Sequence, residues 1–432
     1  PAFSSIKNTT DKTMNILVIT QRWYPDSFGG SEHVASEQAR WLVRLGHTVT
    51  VLTHNESNHS LDEEILVDQE KNGSNNPGKL RIVRYGASKQ FKRWGMSLVD
   101  IFSVPNMVRK LSRSESFDVV VLHHPFPAFG FFLSKVKIPA LYVFHASTAK
   151  EAEVEGMTRK FSGWKKFITP LLTLFFIIFT RHVEKTVLRK ASRIVLFSEF
   201  SQSLLQETYP QPVNKVFRIG IGINSKLFVP VNNKSAIRKK LGLIESAPIV
   251  LTVRRLTERM GLLELLSAVV MVKQVIPDVV FLVVGDGPLK QILKQKADQL
   301  QLAENIWLIG KVPLNGLPAY YQAADLFVLP TIAYEGLGMS TLEALASGLP
   351  VVGTPVGATP EILSQLSDEL IFHSSEAKDI AQGIIKFFQS SESVQISLGK
   401  KARQLITEKY DWHSSVVELE HHLQKIYTPS PY

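Results

Sequence analysis

The sequence predicts an α/β protein made of two doubly wound parallel sheets. Three observations carry this. Short β-branched runs alternate with longer stretches at helical spacing; the alternation breaks near residues 212–230 and then resumes; and 432 residues are too many for one hydrophobic core. In the first series, residues 15–20 read as a strand, 31–45 as a helix and 48–53 as the next strand. Residues 80–85, 118–122, 139–144 and 193–197 continue it as strands. Between them, the polar stretch 55–78, with Asn72-Gly73 and Asn76-Pro77-Gly78, reads as a mobile loop. The second series places strands at 248–253, 279–284, 305–309, 326–329 and 350–352. Sheets of this kind bind ligands beyond the carboxyl ends of their strands, so two facing sheets make the cleft between them the expected site.

Composition narrows the function. Hydrophobic residues at 44% and charged residues at 20% describe a folded chain rather than a disordered one. With no cysteine, disulfide scaffolds, thiolate metal sites and cysteine nucleophiles are all excluded; the composition suits a reducing cytosol. Residues 1–13 are polar and the apolar run 16–19 is short, so no signal peptide is expected. Through Pro230 there are 30 basic and 19 acidic residues, a net +11 against +10 for the whole chain, so the remainder is −1. A charge confined to one half suggests a polyanionic surface.

That half also holds an apolar segment, residues 167–180, shorter than a membrane span and containing Pro170. Eight basic residues and a single acid, Glu184, lie between Arg159 and Lys190, and Trp164 stands at the edge of the apolar run. Lys89, Lys92, Arg93, Arg109, Lys110 and Arg113 form a second basic cluster around residues 96–108. These features favour a peripheral, monotopic anchor on an anionic membrane over a merely buried helix. Nucleic acid is not expected as a partner, because the basic residues flank apolar runs instead of interleaving with stacking aromatics.

Four strand ends carry chemistry. The first runs into Gly29-Gly30 before a helix, which offers backbone N–H groups and a helix dipole to an anion, though it is not a dinucleotide fingerprint. The first strand of the second series ends in Arg254-Arg255 with Arg259 close behind, side chains suited to a diphosphate. The next ends in Gly285-Asp286-Gly287-Pro288, a turn into a helix. The strongest signal is Glu335-Gly336-Leu337-Gly338-Met339, with Glu343 inside the helix that opens near Met339. Here a Gly turn can bring backbone close to a phosphate, and a carboxylate such as Glu343 near the helix start could accept two ribose hydroxyls.

At these residues the chain resembles the retaining GT-B glycosyltransferases of glycosyltransferase family 4. The resemblance runs from about residue 14 to 427. Its signature is two glutamates separated by seven residues, Glu335 and Glu343, flanked by Ala323–Pro330 and Glu343–Val352 in the family's usual style. The Tyr410-Asp411-Trp412 stretch and following helix resemble the terminal segment that crosses back to the first domain. The implied architecture is a first, acceptor-side Rossmann-like domain at 14–222, with its membrane-association segment near 159–190. A nucleotide-sugar domain follows at 223–409 and a crossover helix at 410–432.

The resemblance also implies roles. Glu335 would contact the donor sugar, Glu343 the ribose, and backbone N–H groups of Gly30, Leu337, Gly338 and Met339, beside Gly29, the diphosphate. Arg255 matches the phosphate-binding arginine and His145 a histidine near the reacting carbon. His123 and His124 would face the acceptor, and the Gly310-Lys311-Val312 turn would bear on base choice. The family usually carries Lys just before Gly261; here that residue is Met260, and Arg259 or Arg254 would replace the charge. Gly220-Ile221-Gly222-Ile223-Asn224 also departs from the usual interdomain Asn-Gly-Val-Asp.

The co-substrate would be a UDP- or GDP-linked sugar, the acceptor lipid-linked or a glycan, and no further cofactor is expected. No Asp-x-Asp sequence occurs, so the site needs no metal to explain it. Catalysis would be electrostatic stabilisation of the departing diphosphate, with front-face attack retaining the anomeric configuration. Two other readings follow from the sequence: a soluble relative acting on a small acceptor, and, motivated by Met260, an inactive scaffold.

Overall fold

Eight strands make the first sheet: β1 (Asn15–Ile19), β2 (Thr48–His54), β3 (Asp62–Val67), β4 (Gly78–Tyr85), β5 (Val119–His123), β6 (Ala140–Val143), β7 (Arg193–Leu196) and β8 (Val216–Arg218). Five make the second: β9 (Ile249–Val253), β10 (Val280–Val284), β11 (Ile306–Gly310), β12 (Leu326–Leu329) and β13 (Val351–Gly353). The computed structural model describes residues 13–26, 29–55, 60–67, 78–86, 93–158 and 165–427. Strand order is β3-β4-β2-β1-β5-β6-β7-β8 in the first sheet and β11-β10-β9-β12-β13 in the second.

All pairings are parallel except β3 with β4. Parallel strands are covered on both faces, which is why their sequences read as unbroken apolar runs. In the first sheet Ile16, Val18, Val49, Val51, Val119 and Val121 fill one face. Leu17, Ile19, Leu52, Val120 and Leu122 fill the other.

Two expectations change. The stretch read as a mobile loop contains β3, an antiparallel edge strand; 56–59 and 68–77 lie outside the described residues. Its sequence, Asp-Glu-Glu-Ile-Leu-Val, hides the strand because an edge tolerates charge: Asp62 pairs with Arg81 and Glu64 with Lys79 on β4. The short β8 was also not expected.

The apolar segment forms one helix, Lys165–Lys190, with Pro170 inside it. Only part of it is core. Phe176, Val183, Val187 and Leu188 are buried, while Leu171, Leu172, Leu174, Phe175 and Ile178 are exposed, Phe175 at 67%. Phe176 and Val183 pack on Ile101 of the helix Arg93–Ser114 and Phe126 of the helix Pro125–Leu133. Leu98 and Phe102 are exposed on the first of those helices. Among the described residues, no helix is long and apolar enough to cross a membrane. Lys89, Lys92, Arg159, Lys160 and Trp164 lie outside the described residues.

The last helix, Trp412–Tyr427, leaves the second domain and packs on the first. Val416, Leu419 and Leu423 are fully buried, at about 1.5–3 kcal/mol each. Glu420 meets His47 at 3.1 Å, and Ser415 donates to the Gly220 carbonyl at 2.8 Å. Gly222 admits this helix: a Cβ there would run into Trp412.

Candidate active site

The two sheets present their strand ends to one another, and four of the expected groups meet there. Gly29 is extended, and the helix Gly30–Arg44 that it precedes has no side-chain cap. Opposite, Gly338 adopts φ 75°, which suits glycine, and starts the helix Met339–Ala346, also uncapped by a side chain. The two helix starts nearly touch: a Cβ on Gly30 would lie 3.5 Å from Met339 Cγ. Arg255 is beside them, its Nη2 2.8 Å from where a Gly29 Cβ would stand and 3.6 Å from Glu32 Oε1. Two helix N-termini and a half-exposed guanidinium converge here, groups that favour negative charge, and the Glu32 carboxylate stands among them. Glu32, buried on the first helix turn and accepting from Ser31 Oγ at 2.8 Å, was not singled out by sequence.

Glu335 lies on the loop between β12 and that second helix. Its Oε2 accepts from Arg254 Nη2 at 2.7 Å and from Thr331 Oγ1 at 3.1 Å. Its carbonyl accepts from Ala358 N–H at 2.9 Å, and Gly357, at φ 64°, leaves room for this approach. The next residue is fixed to the first domain: Ser198 Oγ donates to the Gly336 carbonyl at 2.8 Å, and a Gly336 Cβ would sit 2.9 Å from the His145 carbonyl. Gly336, next to Glu335, and the His145 backbone are thus brought together from different domains.

Glu343 is buried on the helix, where Tyr321 O–H donates to it at 2.6 Å. Burial pushes its carboxyl up to about 7, and the Tyr321 bond offsets part of that rise. Tyr321 comes from the helix Leu317–Ala323, and no sequence spacing links the two. Val312 lies in the turn after β11 and packs over Gly316.

The histidines do not all face outward. His123 belongs to β5 and is buried; its Nδ1 is 3.0 Å from His145 Nε2, with the rings stacked at 5.3 Å. Burial lowers both, His145 to about 4 and His123 well below its usual value, so both are neutral at pH 7. His124, at φ 70°, begins the next helix with its ring tilted on Phe126.

The three arginines separate. Arg255 reaches Gly29 and Glu32 at the two helix starts. Arg259 crosses the cleft instead, donating to the Tyr334 carbonyl at 2.8 Å and pairing with Glu151 of the helix Thr148–Thr158 at 2.9 Å. Arg254 turns inward to Glu335. Among the described residues, no cluster of three or more metal-ligating side chains occurs.

Residues 28–227 match the family described as Glycosyltransferase Family 4, and residues 233–408 match Glycosyl transferases group 1. One relative is the GDP-mannose-dependent monoacylated alpha-(1-6)-phosphatidylinositol monomannoside mannosyltransferase of Corynebacterium glutamicum. It is 28% identical over 199 residues, which is 44% of this chain and 51% of the relative. The chain therefore spans about half the length of that protein in the alignment. Among solved structures, sucrose-phosphate synthase from Thermosynechococcus elongatus is similar with a TM-score of 0.78 at 19% identity, covering 96% of this chain and 99% of that one. Anabaena HepE, in complex with UDP and glucose, has a TM-score of 0.70 at 18% identity, covering 95% and 100%. At these identities the structures establish the fold.

Proposed function

Since the chain belongs to the GT-B glycosyltransferases of family 4, we propose that it transfers a sugar, with retention, from a UDP- or GDP-linked donor to a lipid-linked acceptor. The observation that carries this reading is the convergence of two uncapped helix starts and Arg255 beside Glu335 and His145. Breaking the donor's glycosidic bond leaves negative charge on the diphosphate. Arg255 and the helix N–H groups would stabilise that charge as it grows, which accelerates the step because the groups are already oriented. Glu335 would hold the sugar's hydroxyls, Glu343 the ribose, and His145 would stand near the reacting carbon. The acceptor hydroxyl would attack from the face the diphosphate leaves, its proton passing to a phosphate oxygen, so neither a protein nucleophile nor a metal is invoked.

The relative from Corynebacterium glutamicum is named for GDP-mannose and a phosphatidylinositol glycan, which supports a lipid-linked acceptor. The HepE structure holds UDP and glucose, so both bases stay in the donor panel. The exposed Leu171, Leu172, Leu174, Phe175 and Ile178, on the same helix as the exposed cations Arg181, Lys185, Arg189 and Lys190, support peripheral docking on an anionic membrane. Incubation with a panel of GDP- and UDP-sugars and lipid extract, with and without EDTA, tests the whole reading. The expected result is a glycolipid carrying the donor's anomeric configuration and release of nucleoside diphosphate. A product of inverted configuration overturns retention, and no turnover with any donor overturns the activity.

A further inference from the structure

Arg254 is a buried cation at the end of β9, its side chain 4% exposed. Its backbone is fixed by an N–H bond to the Val284 carbonyl at 2.9 Å, so the side chain leaves β9 in a set direction. The guanidinium then makes three contacts. Nη1 donates to Thr331 Oγ1 at 2.8 Å, Nη2 donates to Glu335 Oε2 at 2.7 Å, and Nη2 lies 2.9 Å from Met260 Sδ. Nε is buried with no hydrogen-bond partner among the described residues.

Met260 approaches the same point from another segment. Gly261 follows it at φ 70°, and a Cβ there would meet the Pro330 carbonyl, so the backbone at 260–261 lies tight against the Pro330–Thr331 turn. The side chain of residue 260 is thereby directed into the space that Arg254 fills. A lysine at 260 would bring a second cation to one carboxylate in a buried site; a thioether brings none. Arginine is the side chain that stays charged when buried, and its planar fork spans two acceptors at once. Only one cation is needed there, and it comes from position 254.

We infer that Arg254 and Met260 are an exchanged pair: Arg254 orients Glu335 and supplies the inner cation of the donor site in place of a lysine before Gly261. This rests on the donor-site reading above. Arg254 ties up Glu335 Oε2, while Oε1 lies 3.6 Å from where a Gly338 Cβ would stand, toward the start of the phosphate-side helix. The carboxylate is therefore held by one oxygen and presented by the other. The pairing also bears on the scaffold reading, since the charge missing at 260 is present at 254.

The test is an exchange cycle of Arg254→Met, Met260→Lys and the double variant, read by turnover, by calorimetric binding of GDP and UDP, and by thermal melting. Arg254→Met should lose about 100-fold in kcat, the size of removing one oriented electrostatic donor. The double variant should recover to within about tenfold of wild type, and its melting temperature should return toward wild type as Glu335 regains a partner. Met260→Lys alone should lower the melting temperature, because two buried cations then share one carboxylate. Unchanged kcat and melting in Arg254→Met, or a double variant no better than Arg254→Met in either readout, overturns the exchange. A wild type that neither binds nor turns over any nucleotide overturns the donor-site reading instead, and the melting cycle still decides the exchange.

Discussion

His123 Nδ1 and His145 Nε2 lie 3.0 Å apart across two neighbouring strand ends, so one ring donates to the other and their tautomers are coupled. Because burial keeps both neutral at pH 7, the partner of His145, not its charge, sets which nitrogen carries its proton. Asparagine at 123 can preserve a hydrogen bond to His145; leucine cannot. His123→Asn should keep kcat within about threefold and His123→Leu should lose about tenfold, the size of one net hydrogen bond, with donor KM unchanged. Equal rates in the two variants would show that the pair is only packed.

Glu343 should make nucleotide binding pH-dependent. Its free carboxyl is pushed up to about 7, so below that pH it is largely protonated, whereas two ribose hydroxyls prefer the carboxylate. Binding should therefore release a proton. Affinity should weaken as pH falls from about 8 to about 5.5, approaching tenfold per unit at the acid end. Calorimetry in buffers of different ionisation heat measures the proton directly, and Glu343→Gln should remove both the release and the slope. His145 does not produce this limb, since burial lowers it to about 4.

Arg259 and Glu151 join the two domains through a half-sheltered ion pair at 2.9 Å. Arg259→Ala and Glu151→Ala should each raise donor KM by loosening the closed cleft. Their double-mutant coupling should be about 0.5–3 kcal/mol, as for contacting residues. Strict additivity of the two effects on donor binding would mean the pair does not act as one contact in solution.

The exposed apolar face should govern membrane binding independently of folding. Phe175→Glu with Ile178→Glu places two carboxylates on an already exposed surface, so the melting temperature should change little. Flotation with anionic vesicles should fall at least tenfold, while activity on a short water-soluble acceptor analogue is kept. Wild-type protein that stays behind when anionic vesicles float contradicts membrane docking.

The parallel strands and the donor loop were legible because each is encoded locally. Runs such as Val119–His123 are apolar on both faces, and Glu335, Gly338 and Glu343 lie within nine residues of one another. The contacts that give the site its character are not local. Arg254 and Glu335 are 81 positions apart, Glu343 and Tyr321 22, and His123 and His145 22. Adjacency in a parallel sheet brings His123 beside His145, and no spacing rule exposes that. The edge strand β3 was missed for a related reason: its charges are paired only by the neighbouring strand. In the helix Lys165–Lys190, the consecutive Phe175-Phe176-Ile177-Ile178 do not by themselves reveal that Phe176 turns inward while Phe175 and Ile178 do not.

The crossover helix has a mechanical consequence. The chain passes between the domains twice, near Gly222 and again near Tyr410, and the two passages are joined side by side where Ile223 N–H donates to the Tyr410 carbonyl at 3.0 Å. Two adjacent tethers define a line rather than a point. The domains can therefore swing apart about that line but resist twisting around each other. The same two tethers hold the facing domains where Arg255 lies 3.6 Å from Glu32 and Ser198 Oγ lies 2.8 Å from the Gly336 carbonyl.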